Sequence, residues 1–204
     1  MSHMALWYLS RATGLVSFVL LSFVVVLGIT VNRRGRVPGM PKSSVVGLHR
    51  NASLLAVVLL VVHIVTAIVD PFVTIGWAAV IVPFASHYQP FWLGMGALAL
   101  DLLIAVVVTS LVRVRLGWRA WRGVHWLAYA AWPLAVIHGV GVAKDLHSGV
   151  LLDVTLATTA AVAVAISARV GSALASVPRG ARSGRAVSDA HRSQGVPQLV
   201  ASQR

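Results

Sequence analysis

Residues 49–69 read HRNASLLAVVLLVVHIVTAIV. After Arg50 this stretch has no charged side chain, and about 20 apolar residues are what an α-helix needs to cross the hydrocarbon core of a bilayer. The stretch nevertheless contains two imidazoles, His49 at its edge and His63 within it. Polar side chains at membrane depth are costly and usually serve a function, so these two histidines point to a functional membrane helix.

Four more apolar runs of similar length accompany this one. The predicted spans are residues 12–31, 51–69, 91–112, 124–142 and 149–168. Hydrophobic residues make up 58% of the 204 residues, charged residues 11%, and the mean hydropathy is +0.84, which is too apolar for one soluble core. Residues 73–86, interrupted by Pro83, fit an interfacial or re-entrant segment, and six spans are the alternative. We predict an all-α integral membrane bundle of about five transmembrane helices.

The basic residues are distributed unevenly between the two sides of the predicted bundle. The net charge is +12, and fifteen of the seventeen Lys and Arg fall in residues 33–50, 113–122 and 169–204. Only Arg11 and Lys144 fall on the opposite side. The positive-inside rule then predicts an outer N-terminus and a cytoplasmic C-terminus in a multi-pass plasma-membrane protein. We expect these arginines to meet anionic lipid headgroups, and we expect no nucleic-acid partner.

Three segments are predicted along the chain. Residues 1–6, which begin MSHM, resemble a cloning remnant, and residues 7–170 form the transmembrane domain. Residues 171–204 are rich in Arg, Ser and Gly and lack apolar periodicity, so we expect a basic, disordered cytoplasmic tail. The first apolar run precedes its RRGR cluster rather than following one, which is typical of a retained helix and not of a secretory signal.

Four of the eight histidines fall in only two predicted spans. His49 and His63 are 14 residues apart in the second span, and His125 and His138 are 13 apart in the fourth. Either separation corresponds to a rise of about 20 Å, so each helix offers one imidazole at each of two levels. Two ligands at a level suit six-coordinate haem iron, whereas structural zinc needs four converging ligands. The sequence therefore predicts two bis-histidine haems.

Other observations limit this interpretation. The chain has no cysteine, which excludes disulfides, thiolate metal sites, iron–sulfur clusters and covalent c-type haem. Thirteen helical residues leave His125 and His138 about 140° apart around the helix, and a kink at Pro133 is our expected remedy. Any single intramembrane histidine can instead be a helix-packing hydrogen-bond donor. His87, His147 and His191 fall outside the spans, where solvation is the default.

Several charged residues are candidates for supporting roles. Arg11 on the outer side, and Arg50 and Arg122 on the inner side, are candidate partners of haem propionates. Asp101 falls in the middle of the third span, where a carboxyl group is costly, and it is a possible functional carboxyl. The alternative function is a proton- or ion-handling membrane protein that uses Asp101 and the intramembrane histidines as a relay.

Three stretches resemble the ferric reductase-like transmembrane domain family. They are WYLSRATG at 7–14, LHR to VVH at 48–63, and VVTSLVRVRLGWRAWRGVHWLAYAAWPLAVIHG at 107–139. The family includes NADPH oxidases, ferric reductases and the haem subunit of the periplasmic methionine sulfoxide reductase system. The paired histidine spacings are the most specific part of this resemblance.

The resemblance implies a function for the histidine pairs. His49 with His125 would ligate an inner haem b, and His63 with His138 an outer one, with electrons passing from the cytoplasm outward. The sequence contains no FAD- and NAD(P)H-binding domain, so we expect a separate donor, either a flavoprotein or a quinol. Candidate acceptors are a ferric chelate, oxygen or an outer redox partner. The chain would then be the haem subunit of an oxidoreductase.

Overall fold

In a computed structural model the chain is helical, and residues 3–32, 41–71, 73, 75–142 and 149–175 are described. The helices are α1 His3–Asn32, α2 Lys42–Val69, α3 Ala78–Ile81, α4 Pro90–Leu111, α5 Arg113–Leu116, α6 Trp118–His125, α7 Ala128–Val142 and α8 Gly149–Ala175. Contacts divide the chain into residues 1–166 and 167–204. Of the second unit, residues 167–175 are described, and they are helical.

Four of these helices are long and apolar enough to cross a membrane by themselves. Their candidate spans are Met4–Thr30, Lys42–Val69, Pro90–Leu111 and Leu151–Arg169. The predicted fourth span, 124–142, is divided between α6 and α7, with a turn at Trp126 and Leu127. The predicted helical membrane bundle is thus confirmed, and the described residues contain no strand.

The stretch between α2 and α4 does not form a further span. Among its described residues the four-residue helix α3 is the only helix, and Phe84 and Gln89 there have positive φ angles of 65° and 42°. A left-handed backbone cannot continue an α-helix, and Pro83 lacks the amide hydrogen that a helix would use. Four residues rise only about 6 Å, far short of a bilayer core.

Small residues let α1 and α2 approach closely, while the opposite face of α2 is apolar and exposed. Ala52 and Ala56 are buried one helical turn apart. Leu54, Val58 and Val61 are each more than half exposed, as lipid-facing side chains are. Without a hydrophobic driving force between helices in lipid, close van der Waals packing through small residues holds such a pair together.

A second packing centre joins α1, α7 and α8. Val25, Ile29, Trp132 and Val162 form the buried cluster. The indole Nε1 of Trp132 donates a hydrogen bond of 2.8 Å to Oγ of Ser22. This bond satisfies the one polar atom of the indole, which hydrocarbon would otherwise leave unpaired.

Several predictions made from the sequence concern residues outside the described ranges. These are the Arg33–Arg34–Arg36 cluster, Lys144, His147, His191 and residues 176–204. The predicted remnant and tail each include a few described residues: α1 begins at His3, and α8 continues to Ala175.

Candidate cofactor-binding site

The four intramembrane histidines form two facing pairs. The ring centres of His49 and His125 lie 6.3 Å apart with planes inclined at 64°. The ring centres of His63 and His138 lie 6.4 Å apart, with planes inclined at 74°. Each pair takes one ring from α2 and the other from the α6–α7 segment, so the side chains that the sequence matched by level lie opposite each other.

The ring separation fits a single metal ion between each pair. Two metal–nitrogen bonds of about 2.0 Å, each extended by about 1.1 Å from nitrogen to ring centre, place the two centres about 6.2 Å apart. Rings in direct hydrogen-bond contact would be closer. Within the described ranges, no three His, Cys, Asp or Glu side chains group as metal ligands, so a tetrahedral zinc site lacks its ligands there. Two axial ligands per level are what haem iron requires.

A tightly wound stretch brings His125 and His138 to one face despite their 13-residue separation. Backbone bonds from Trp126 to Gly123, Leu127 to Val124, Tyr129 to Trp126 and Ala130 to Leu127 are each i→i−3, at 2.9–3.3 Å. Such 3₁₀ winding turns about 120° per residue instead of 100°. Trp126 also bonds to Arg122, and Ala131 to Leu127, in the i→i−4 pattern, so the tight winding is confined to a few residues. Each residue wound in this way adds about 20°, which turns His138 toward the face of His125.

The position of this stretch has a physical cause. Pro133 lies inside α7 and has no amide hydrogen for the carbonyl of Tyr129. Its ring also crowds that carbonyl, which disturbs the regular ladder in the turn before it. Sequence reasoning expected a kink at Pro133 to re-aim one ring; the i→i−3 bonds at residues 126–130 are a further irregularity, which changes azimuth and slightly lengthens the rise.

Three of the four histidines are held by the same kind of hydrogen bond. Each places Nδ1 at hydrogen-bond distance from a main-chain carbonyl of the neighbouring helix. The bonds join His63 to Ser10 at 2.8 Å, His49 to Val24 at 3.1 Å, and His138 to Trp92 at 2.9 Å. A carbonyl only accepts, so Nδ1 must carry the proton and Nε2 keeps its lone pair. This is the tautomer that a metal bound at Nε2 requires.

A glycine lies four residues after each of those carbonyls and makes room for the ring. The glycines are Gly14 for His63, Gly28 for His49 and Gly96 for His138. A Cβ at Gly14 or Gly96 would lie 2.7 or 2.6 Å from Nδ1, and at Gly28 it would lie 3.4 Å from Cε1. Gly14 and Gly96 therefore let an imidazole reach a carbonyl that a side chain would cover, whereas a Cβ at Gly28 would meet the His49 ring at an ordinary contact distance. Sequence reasoning missed them, although the 14-residue interval between Gly14 and Gly28 matches that of His49 and His63.

His125 is held differently. Its Nδ1 is buried and, within the described part of the chain, has no hydrogen-bond partner. Its ring instead stacks on Trp121, with centres 4.9 Å apart and planes inclined at 27°.

A cavity of about 1740 Å³ contains both histidine pairs. Its lining is mostly apolar and comes from α1, α2, α4, α6 and α7 among other segments. Ordinary small-molecule sites measure about 300–1,000 Å³, so this volume suits more than one large planar group.

The predicted arginines line this cavity. Arg11, Arg50 and Arg122 are all among its lining residues. Arg11 also lies over the Trp7 ring, with its guanidinium carbon 4.5 Å from the ring centroid. Asp70, which sequence reasoning did not single out, is 5% exposed and lines the cavity too.

The predicted functional carboxyl lies elsewhere. Asp101 is half-buried in the middle of α4 and is not among the cavity-lining residues. His87 is exposed and likewise does not line the cavity. The structure therefore does not bring Asp101 or His87 to the histidine pairs.

The model of the family described as ferric reductase like transmembrane component matches residues 13–140. The match covers well over half of the chain and includes all four paired histidines. The chain therefore belongs to this family, as the sequence motifs predicted, and at the level of the family its function is transmembrane electron transfer. No curated protein and no solved structure matches the chain significantly.

Proposed function

We propose that this chain carries electrons across the membrane through two b-type haems, one between His49 and His125 and one between His63 and His138. The observation that carries the proposal is the ring separation of 6.3 and 6.4 Å in two pairs along the same two segments. Haem iron at each level would supply a reversible one-electron change. The family membership supports the same function.

The chain contributes ligands that are set before the cofactor binds. Three Nδ1 atoms donate to carbonyls, which orients the rings and leaves Nε2 free to coordinate. His49 with His125, and His63 with His138, would hold the two haems, which would supply electron exchange without direct binding of oxygen or another substrate. Transfer to an acceptor would then take place at the edge of the site, without a bond to the metal.

The separation of the two levels suits passage across a bilayer. The 14 residues between His49 and His63 rise about 20 Å along α2, which is most of the ~30 Å hydrocarbon core. The lining around the pairs is mostly apolar, which disfavours water along the path. The two sites together would connect one membrane face to the other.

The charges suggest an orientation. We assign the His49–His125 level to the cytoplasmic side, because Arg50 and Arg122 adjoin it and the basic residues concentrate there. Arg50 and Arg122 would pair with propionates at that level, and Arg11 would do so at the outer level. The bundle would lie in the plasma membrane with its N-terminus outside.

Electrons would come from a separate donor, a flavoprotein or a membrane quinol, at the cytoplasmic level. The acceptor would be a ferric chelate, oxygen or an outer partner protein that approaches the His63–His138 level. The alternative of a proton or ion relay through Asp101 has less support, because Asp101 does not line the cavity that contains the histidines.

Haem content of single histidine variants tests the proposal. The protein is purified in detergent, and the pyridine haemochrome assay measures haem per chain. His63→Ala removes one axial ligand and is expected to leave about one of two haems, while exposed His87→Ala keeps both. If His63→Ala and His138→Ala each retain two haems with unchanged spectra, the assignment is wrong.

A further inference from the structure

The held histidines follow a repeat that fails at one position. On α1, Gly14 and Gly28 are 14 residues apart, and each lies four residues after a carbonyl that accepts a hydrogen bond from a histidine of α2. On α4, Gly96 does the same for His138. Fourteen residues after Gly96, the corresponding position is Ser110. By this repeat, the carbonyl of Val106 is the one that would receive His125.

Hydroxyl groups occupy that carbonyl instead. Ser110 donates from Oγ to the carbonyl of Val106 at 2.6 Å, and Thr109 donates to the same oxygen at 3.2 Å. Ser110 Oγ also accepts a hydrogen bond of 3.2 Å from the indole Nε1 of Trp121. Ser110 therefore places a β-carbon and a hydroxyl group beside the Val106 carbonyl, where the other three positions of the repeat have a glycine, and the same hydroxyl group anchors an indole.

The anchored indole of Trp121 faces the imidazole of His125, whose Nδ1 has no carbonyl partner among the described residues. Trp121 and His125 are four residues apart on α6, so they lie on one face of the helix. Their ring centres are 4.9 Å apart and their planes nearly parallel. Among the described residues this stacking is the contact that takes the place of the missing Nδ1 bond.

We propose that Trp121, anchored by Ser110, is the positioning residue of His125, and that Ser110 makes the His49–His125 level electronically different from the other. A ligand imidazole that donates from Nδ1 to a carbonyl is a stronger electron donor to its metal. His125 lacks that bond, so its level stabilises oxidised iron less than a level with two such bonds. This inference rests on the proposed haem function, which it extends to the tuning of one site.

Variants of Trp121 test the positioning role. Trp121→Leu removes the stacked ring and is expected to leave about one haem per chain, whereas Trp121→Phe keeps an aromatic face and retains both. Trp77→Leu is the control: Trp77 is 69% exposed and does not line the cavity that contains the histidine pairs. It is expected to keep both haems. Retention of two haems with an unchanged spectrum in Trp121→Leu would overturn the positioning role.

Variants of Ser110 test the tuning role. Ser110→Gly and Ser110→Ala both remove the Oγ that accepts from Trp121 Nε1, so the difference between these two variants reports the exposed Val106 carbonyl alone. Ser110→Gly restores the repeat and exposes the Val106 carbonyl to His125. A potentiometric titration is expected to show one of the two midpoint potentials shifted to a more negative value and the other unchanged. Ser110→Ala keeps a β-carbon over the carbonyl and is expected to lack that negative shift.

The outcomes separate this inference from the function it rests on. If the unmodified protein binds two haems but Ser110→Gly leaves both potentials unchanged, the tuning role of Ser110 is wrong and the electron-transfer proposal stands. If the unmodified protein binds no haem, the proposed function itself is wrong and the inference fails with it.

Discussion

Gly96 makes room for the imidazole of His138, because a Cβ at position 96 would lie 2.6 Å from Nδ1 of that ring. The contact permits the 2.9 Å hydrogen bond from His138 to the carbonyl of Trp92. The ring is thereby held in one orientation and one tautomer before any metal binds. The same relationship joins Gly14 to His63, so both imidazoles of that level depend on a missing side chain.

Gly96→Ala should therefore damage one site selectively. The added methyl group must push the His138 ring away from its carbonyl, because the three atoms nearest to it all belong to that rigid ring. We expect haem content to fall from about two to about one per chain. Gly47→Ala is the control, because a Cβ there meets nothing within 4 Å, and it should leave haem content unchanged. Equal haem content in the two variants would contradict the role of Gly96.

Pro133→Ala should alter the helix that carries His125 and His138. An alanine supplies the amide hydrogen that Pro133 lacks, which favours regular winding through residues 126–130. Regular winding would rotate the two rings away from a common face. We expect loss of at least one haem, even though alanine is the better helix former. A variant with both haems and unchanged spectra would show that the tight winding does not depend on the proline.

The Trp132–Ser22 hydrogen bond should contribute to the stability of the helix bundle and not to haem binding. Neither residue is among those lining the cavity, and the 2.8 Å bond lies in the buried cluster between α1 and α7. Ser22→Ala leaves the indole donor without this partner, at an expected cost of about 1–3 kcal/mol. Thermal unfolding in detergent should show a lower midpoint, while haem per chain remains that of the unmodified protein. A loss of haem without a lower unfolding midpoint would contradict a purely structural role of this hydrogen bond.

The ring planes predict a spectroscopic signature. The planes of each histidine pair are inclined at 64° and 74°, much closer to perpendicular than to parallel. Crossed axial imidazoles make the two iron orbitals that bond to them nearly equal in energy, which makes a low-spin ferric centre strongly anisotropic. Low-temperature electron paramagnetic resonance of the oxidised protein should show strongly anisotropic low-spin signals. Ordinary rhombic signals from both centres would mean that the rings become parallel on binding.

Much of this architecture follows from the sequence because lipid imposes simple requirements. Apolar runs of spanning length predicted the helices, and the two histidine separations predicted the levels. Periodicity alone could not show how His138 reaches the face of His125, since the 3₁₀ bonds at residues 126–130 depend on local crowding around Pro133. It also could not find Trp121, because interfacial tryptophans are common and only the stacking on His125 distinguishes this one.

The sequence contains a weak signal for two of the three glycines. Gly14 and Gly28 repeat at the interval of His49 and His63, which suggests packing between the two helices at matched levels. The third, Gly96, has no partner at the same interval, because Ser110 occupies that position. Which carbonyl each glycine exposes is a property of the packed helices and not of the repeat.

The central claim is that each chain holds two haems b between its histidine pairs, and haem stoichiometry tests it most directly. The measurement is a pyridine haemochrome assay on the purified protein, with reduced-minus-oxidised spectra recorded on the same sample. We expect about two b-type haems per chain, with the spectrum of six-coordinate low-spin iron. A colourless protein, or one with a single haem that persists when either pair is mutated, would contradict it.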